Sequence, residues 1–429
     1  MEKNIFELKT IKESKEERTG LVKTRDDFRE KVAEGIEKEG MEILNIPTLH
    51  IPNPKYPVNL STLKNGKVLS IDWGGTNFRA AIVEFKDGKA TIIEEFKPEK
   101  VKAGYYELSA KITSGYSRDN LYEKMAEWIE ELNELDETVK HIGYCFSYPA
   151  AARLNGDAVL LRWTKGMDIP GMVGEPVGEP LLKYLNNRFK NSSKKIMFDS
   201  IKVVNDTIAC LFAGFGEVGY DSYIGLIVGT GTNMACLMPL NKIAKLNMKF
   251  SEDLIPVNLE SGNFNPPYLT IIDRMVDAIS NNKGSQRLEK AVSGGYLADI
   301  HQTIFNTSLF DADFNGGDMA KMINDPEGYD EEQVKVAKWI FDRSAQLVAA
   351  TIAGLVEVLV AQRPNNTKKI CLAADGSVFW GKDAKKNTTP YKDKVSEELK
   401  ALLPEGVTVT IIDEMKNPNM VGAAIAALI

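Results

Sequence analysis

Three histidines, four cysteines and no long uninterrupted apolar run in 429 residues remove several functional classes at the outset. His50, His141 and His301 are too scattered for a metal centre, and no serine, histidine and acid set stands out. Cys145, Cys210, Cys236 and Cys371 each sit alone inside apolar runs with no CxxC pair, the pattern of buried, reduced thiols. The opening MEKNIFELKTIKESKEERTG is charged and has no apolar stretch of the kind a secretory signal carries. The longest apolar stretch, Leu347 to Ala361, is interrupted by Glu357. It falls short of the roughly 20 residues a membrane-spanning helix needs, so it reads as a buried core helix. Basic charge is also scarce: 60 acidic side chains outnumber 53 basic ones, for a net charge of −7. That balance argues against a nucleic-acid partner. Together these absences predict a cytoplasmic globular protein with neither a membrane nor a nucleic-acid partner, and they leave the oligomeric state open.

What is present is an ordinary globular composition, 43% hydrophobic and 26% charged, on a chain long enough for two domains. The first 45 residues read as helical and charged. IPTLHIPNPKYP, from Ile46 to Pro57, carries four prolines and marks a linker or extended crossing segment. Val68 to Asp72, the Gly74-Gly75 turn and Phe78 to Phe85 then predict a strand, a tight turn and a second strand, with a third at Thr91 to Phe96. Leu121, Met125, Trp128, Leu132 and Leu135 recur at helical spacing. Strand-like runs follow at His141 to Tyr148 and Ile201 to Val204, the latter leading through Asn205-Asp206 into an apolar helix. Alternating strands and helices indicate an α/β architecture.

The most informative feature is an internal echo. IDWGGTN (Ile71 to Asn77) and IVGTGTN (Ile227 to Asn233) align without gaps, each between two apolar strands. Two matched glycine hairpins predict two related half-domains, each presenting a loop whose amides can face an anion. Across a cleft they would clamp a polyphosphate, with Thr76, Thr230 and Thr232 adding hydroxyls and Arg79 a charge; neither is a GxxxxGK[ST] loop. Asp72, at a strand end before the first loop, could hold Mg²⁺ through water. Asp206 could be a helix N-cap or a base for phosphoryl transfer, and the residues alone leave both open. DADFNGGD (Asp311 to Asp318) begins like a calcium loop, but its twelfth position is Met322 where a glutamate belongs, so that reading fails.

With these residues in view the chain resembles the hexokinase family. LSIDWGGTNFRAAIVEF resembles its first phosphate motif, FSYPA (Phe146 to Ala150) its FSFP segment, and WTKG (Trp163 to Gly166) its sugar-binding WTKG. VVNDT (Val203 to Thr207), IGLIVGTGTN (Ile224 to Asn233), VNLESGNF (Val257 to Phe264) and DGSVF (Asp375 to Phe379) follow in family order. The resemblance implies an actin-like ATPase (ribonuclease H-like) α/β fold of two domains around a deep cleft. Residues 1–67 would be a helical segment and linker on the large domain, 68–205 the small domain and 206–413 the large one. The helix of 414–429 would return to the small domain.

The resemblance also implies roles. Asp206 matches the general base acting on the sugar 6-hydroxyl, and Lys165 a cation offsetting charge on the transferring phosphoryl group. Ser147, Thr164, Lys165, Asn205, Asp206, Asn233, Glu260, Gln286 and Glu289 match hexose-binding positions. Asp72, Gly75, Thr76, Asn77, Arg79, Gly229, Thr230 and Gly231 match the phosphate clamp, and Gly376 and Ser377 the nucleotide side. The implied activity is phosphorylation of glucose and related hexoses by MgATP, the first step of glycolysis. An inactive sugar sensor and a non-kinase actin-like ATPase are the competing classes. Trp73, ESGNF and MDIPGMVG depart from the family pattern.

Overall fold

The protein is described here by a computed structural model covering residues 15–48, 54–74, 77–96, 108–164, 166–247, 251–305, 314–382 and 387–429. Its two main sheets share one wiring. In the first, strands β2 (Gly66–Trp73), β3 (Phe78–Lys86), β4 (Lys89–Glu95), β5 (His141–Phe146) and β8 (Ser200–Val204) run in the order β4-β3-β2-β5-β8. In the second, β9 (Ser222–Val228), β10 (Thr232–Pro239), β11 (Leu254–Asn258), β12 (Lys369–Asp375) and β13 (Thr408–Ile411) run β11-β10-β9-β12-β13. Each sheet opens with an antiparallel hairpin, adds its third strand antiparallel to the second, and continues with two parallel strands beside the first. The echo of IDWGGTN in IVGTGTN is the local trace of this duplicated sheet. A short hairpin of β6 (Ala150–Ala152) and β7 (Ala158–Leu160) stands apart.

Burial follows position in the sheet. β2 is buried continuously from Val68 to Trp73, as a central strand covered on both faces must be, whereas edge strand β4 alternates toward solvent. The proline-rich segment does more than link: β1 (Ile46–Pro47) pairs with β11, Ile46 opposite Asn258, and extends the second sheet. Proline is tolerated there because an edge strand has ladder positions that need no N–H.

The amphipathic helix that the spacing predicts over SRDNLYEKMAEWIEELNEL, Ser117 to Leu135, is shorter in the structure. Helix α2 (Arg118–Glu130) starts at a Ser117–Asn120 capping box and ends at Glu130, with Leu132 and Leu135 still buried in the turns beyond. Helix α1 (Lys15–Glu37) lies on α9 (Glu331–Gln362), which at 32 residues far outruns the apolar stretch read from sequence. By length and composition α9 is apolar enough to cross a membrane, yet most of that apolar window is buried in the second sheet's core. Glu357, the interrupting charge, is paired with Arg29 at 2.8 Å and Arg25 at 3.2 Å, both from α1. The four cysteines are buried and unbridged.

The fifth strand of each sheet leads into a helix, α4 (Asp206–Ala213) from the first and α11 (Pro418–Leu428) from the second, and these two helices pack on each other. The approach is closest at Gly422, where a Cβ would lie 1.7 Å from the Ala209 carbonyl oxygen. Helix α11 also reaches into the first sheet, its Met420 carbonyl accepting a 2.7 Å hydrogen bond from Ser70. One apolar cluster, combining residues of both sheets with α4 and α11, fills the space between them.

Candidate active site

The end of β2 carries the first group. Asp72 is buried and ion-paired with Arg79, its register partner on β3. Gly75 and Thr76 lie outside the described residues, and Asn77 is exposed beyond them. Trp73, the departure from the family pattern, is wholly buried against Phe146, Tyr148 and Trp163, with ring centroids 5.3–5.9 Å away. Its indole N–H donates to the Leu108 carbonyl at 3.2 Å, and its own carbonyl accepts from the Ser147 amide at 3.2 Å. The aromatic cluster therefore joins the phosphate hairpin to FSYP and to the tryptophan of WTKG. Ser147 sits on this seam, and a Cβ on Gly74 would stand 3.5 Å from its hydroxyl.

The second group gathers at the start of α4. The sequence left Asp206 open as an N-cap; the structure gives the cap to Asn205, whose Oδ1 accepts from the Thr207 amide at 3.0 Å and the Thr207 hydroxyl at 2.6 Å. Asp206 is thus the first helical residue, with Oδ1 2.8 Å from the same amide. Asn258, unassigned from sequence, is the hub of this region: its Oδ1 accepts from Asn233 Nδ2 at 2.7 Å while its own amide donates to Glu260 at 2.8 Å. Asn233 Oδ1 in turn accepts from the Ser261 amide at 3.0 Å. Asn205, Asp206, Asn233 and Glu260 are all half-buried, so their polar ends are fixed yet reachable.

A third group comes from the helices after β11. Glu289 Oε2 accepts from the Thr232 amide at 3.0 Å, and it lies so near the second glycine turn that a Cβ on Gly231 would be 2.6 Å from it. Gln286 adopts a left-handed backbone, φ 51°, as does Glu260, φ 57°; both are strained positions of the kind that gather at functional sites. Among the described residues no hydrogen bond joins Thr164 or Asn77 to the other candidates, and Lys165 lies outside them.

Beyond the second turn is a cavity of about 560 Å³ whose lining includes Thr230 and Ser377. Gly376, next to the lining residue Ser377, has a conformation, φ +114°, that packs it against Val228; a Cβ would meet that carbonyl oxygen at 2.2 Å. Gly294, Gly295, Asp299, Phe314, Asn315, Gly316 and Lys382 complete most of the lining, and none was assigned from sequence. The signal was present but misdirected. FNGG belongs to the rejected calcium-like motif, and here Asn315 caps helix α8 (Gly316–Asn324) at the cavity wall.

Electrostatics link the groups. Burial raises the Asp375 carboxyl, and Asp72 and Asp206 add to the rise while Arg79 and the Gly376 amide oppose it. Burial, with Asp72 and Asp206 nearby, likewise pushes the Cys145 thiol well up. The second glycine turn, three carboxylates at strand and helix ends, and a bonded set of amides form a site suited to moving a phosphoryl group onto a hydroxyl.

Two family models described as hexokinase match the chain, one over residues 8–215 and the other over 223–335 and 330–429. The chain belongs to the hexokinase family. The hexokinase of Plasmodium falciparum is 29% identical over 416 residues, covering 85% of this chain and 79% of its own. Hexokinase-1 of Schizosaccharomyces pombe is 27% identical over 460 residues, covering 95% and 87%. Among solved structures, the hexokinase from Schistosoma mansoni complexed with glucose has a TM-score of 0.72 at 24% identity, covering 95% of this chain and 94% of that one. The fold is that of the sugar kinases, and this hexokinase is an enzyme of sugar phosphorylation.

Proposed function

We propose that this hexokinase transfers the γ-phosphate of MgATP to the 6-hydroxyl of glucose and related hexoses, the entry reaction of glycolysis. The observation that carries the proposal is Asp206, a half-buried carboxylate at the first position of α4, beside a bonded set of Asn205, Asn233, Asn258 and Glu260. A hexose presents a ring of hydroxyls, and fixed amides and carboxylates pair with them from set directions. Asp206 accepts the proton of the attacking hydroxyl, with the Thr207 amide and the helix terminus holding the carboxylate in place. Ser147, Thr164, Gln286 and Glu289 contribute the remaining hexose contacts, and Lys165 offsets charge on the transferring group.

The residues fit the donor. The glycine-walled cavity with the Thr230 and Ser377 hydroxyls suits a nucleotide, and Gly229, Gly231 and Arg79 suit its phosphates. Mg²⁺ favours carboxylate, phosphate and water oxygens. Asp72, with Asp206 and Asp375 within electrostatic reach, is such a donor set. Among the described residues no three acidic, thiol or imidazole side chains converge closely enough to hold a metal alone, which favours a shell shared with water and phosphate. MgATP, when bound, supplies the electrophilic phosphoryl group. An inactive sensor is disfavoured because Asp206 and the second turn are intact.

The test is glucose 6-phosphate formation from MgATP and glucose by wild type and Asp206→Ala. Turnover lost by about two to four orders of magnitude in the variant, with glucose binding kept, supports the proposal. Tight glucose binding without wild-type turnover would make the protein a sensor instead.

A further inference from the structure

Between helix α5 (Ile271–Ile279) and helix α6 (Arg287–Val292) the chain forms a loop whose last residue is Gln286, and α6 carries Glu289. Inside this segment a turn bond from the Ser285 amide to the Asn282 carbonyl at 3.0 Å is the one backbone hydrogen bond among the described residues. Helix α6 has six residues, too few to be stable by its own hydrogen bonds, and Gln286 keeps a strained left-handed backbone.

Leu288 anchors the start of α6 through its amide bond to the Phe264 carbonyl at 2.7 Å, and the loop side is gathered by one carboxylate. Asp277, near the end of α5, is buried; its Oδ1 is 2.6 Å from the Lys290 ammonium and 2.9 Å from the Gly284 amide, which also lies 3.2 Å from Oδ2. Arg287 Nε stands 3.5 Å from Oδ2. Lys290 passes the restraint on by donating to the Asn282 carbonyl at 2.9 Å, and the Asn282 side-chain amide donates to Gln286 Oε1 at 2.7 Å. Lys290 and Glu289 are consecutive on one helix, so their side chains diverge by about 100°. With the Lys290 end tied to Asp277, Glu289 is turned to the Thr232 amide. Although burial works against ionisation, the bonds from Lys290 and Gly284 outweigh it and hold Asp277 below the usual carboxylate range.

We propose that Asp277 is a positioning residue for the sugar side of the site, fixing Gln286 through Gly284, Lys290 and Asn282, and fixing Glu289 through Lys290. This rests on the hexose reading of Gln286 and Glu289 given above. Asp277 touches neither substrate, so its effect falls on the geometry of one half of the site and leaves the cavity beyond the second turn unaffected.

The experiment compares wild type, Asp277→Asn and the milder Asn282→Ala, which keeps the backbone carbonyl that Lys290 bonds and removes the side-chain links to Gln286 and Tyr296. It records hexose KM, MgATP KM, kcat, thermal midpoint and amide hydrogen exchange at Gly284. The expected result for Asp277→Asn is a hexose KM raised about tenfold, the equivalent of one charge-assisted hydrogen bond. MgATP KM stays within about twofold of wild type, and exchange at Gly284 is faster. Asn282→Ala raises hexose KM by a smaller factor without the loss of thermal midpoint, and it decides the matter if Asp277→Asn fails to fold. A lower midpoint with hexose KM unmoved, or equal increases in both KM values, overturns the proposal and leaves Asp277 a stabilising ion pair alone. Wild-type protein is assayed first. If it phosphorylates no hexose the reading of the site fails, whereas an active wild type with an unmoved KM in the variants removes only the role of Asp277.

Discussion

Asp72 and Arg79 face each other across the β2–β3 hairpin, in direct register, and are ion-paired. The carboxylate is almost fully buried while the guanidinium keeps about a third of its side chain in solvent. One charge is thus held in the protein by a partner that also reaches solvent. Removing the guanidinium strands the carboxylate. Arg79→Met is expected to lower unfolding free energy by about 2 kcal/mol, a figure already reduced for the exposure of the arginine. The same change raises MgATP KM about tenfold and leaves hexose binding unchanged. Denaturant titration and steady-state kinetics check the two effects separately; an unchanged MgATP KM would remove Arg79 from the phosphate clamp.

Asp375 gives a pH prediction with a definite sign. Its folded-state pKa is raised, chiefly by burial and further by Asp72 and Asp206, so the folded protein binds this proton more tightly than the unfolded chain does. The resulting stabilisation is fully present below the unfolded value of about 4 and is lost as pH rises through the folded value. Asp375→Asn, which cannot ionise, should therefore gain thermal stability relative to wild type at pH 7 and lose that advantage near pH 4. Melting curves at the two pH values decide it, and equal shifts at both would count against the assignment.

A methyl group on the second glycine turn should be felt on the sugar side. Gly231→Ala would place its Cβ against the Glu289 carboxylate, displacing the oxygen that accepts from Thr232. Overpacking of this kind costs about 1–3 kcal/mol, so hexose KM is expected to rise about tenfold or more, with a smaller change in MgATP KM. Kinetics with each substrate varied in turn would show it; the reverse pattern would mean that the turn serves the phosphates alone.

Trp73 should matter for its bulk more than for its indole N–H. Trp73→Ala opens a cavity among Phe146, Tyr148 and Trp163 and is expected to cost about 3–5 kcal/mol, with activity falling as the two substrate segments lose their common support. Trp73→Phe retains most of the ring contacts and forfeits the bond to Leu108, about 1 kcal/mol. Chemical denaturation of the two variants ranks these effects, and a phenylalanine variant as unstable as the alanine one would give the N–H the larger role.

The duplicated hairpins were legible because a glycine turn between apolar strands is a local pattern, complete within a dozen residues. Asp206 was legible as a candidate, but its choice between cap and base was not, since that depended on Asn205 taking the cap. Asn258 was invisible for a different reason. It sits inside VNLE, a strand end whose glutamate drew the attention, and its function as a hub exists only once β10, β11 and α4 are side by side. The cavity wall from Phe314 to Gly317 lies in a segment whose spacing matches only the start of a calcium loop, and its place beside Thr230 and Ser377 exists only in the folded chain. The full length of α9 was hidden because its first turns interleave charged residues with the buried Val334, Val336, Ala337 and Ile340, so no continuous apolar run marks them. Gly75, Thr76 and Lys165 rest on the family resemblance, as they lie outside the described residues.

The crossing of α11 into the first sheet sets an order for biosynthesis. β2 and β5 are complete by residue 146, yet the helix that covers one of their faces is made of residues 418–428. A ribosome must add about 270 residues more, and the chain must clear the exit tunnel, before that face is sealed. Until then Val68 and Cys145, both fully buried in the finished protein, wait without the partners of their shared cluster. The two sheets are successive in sequence, but one face of the first is covered by α11, the last described helix, so a nascent chain arrested in its second half leaves that face open.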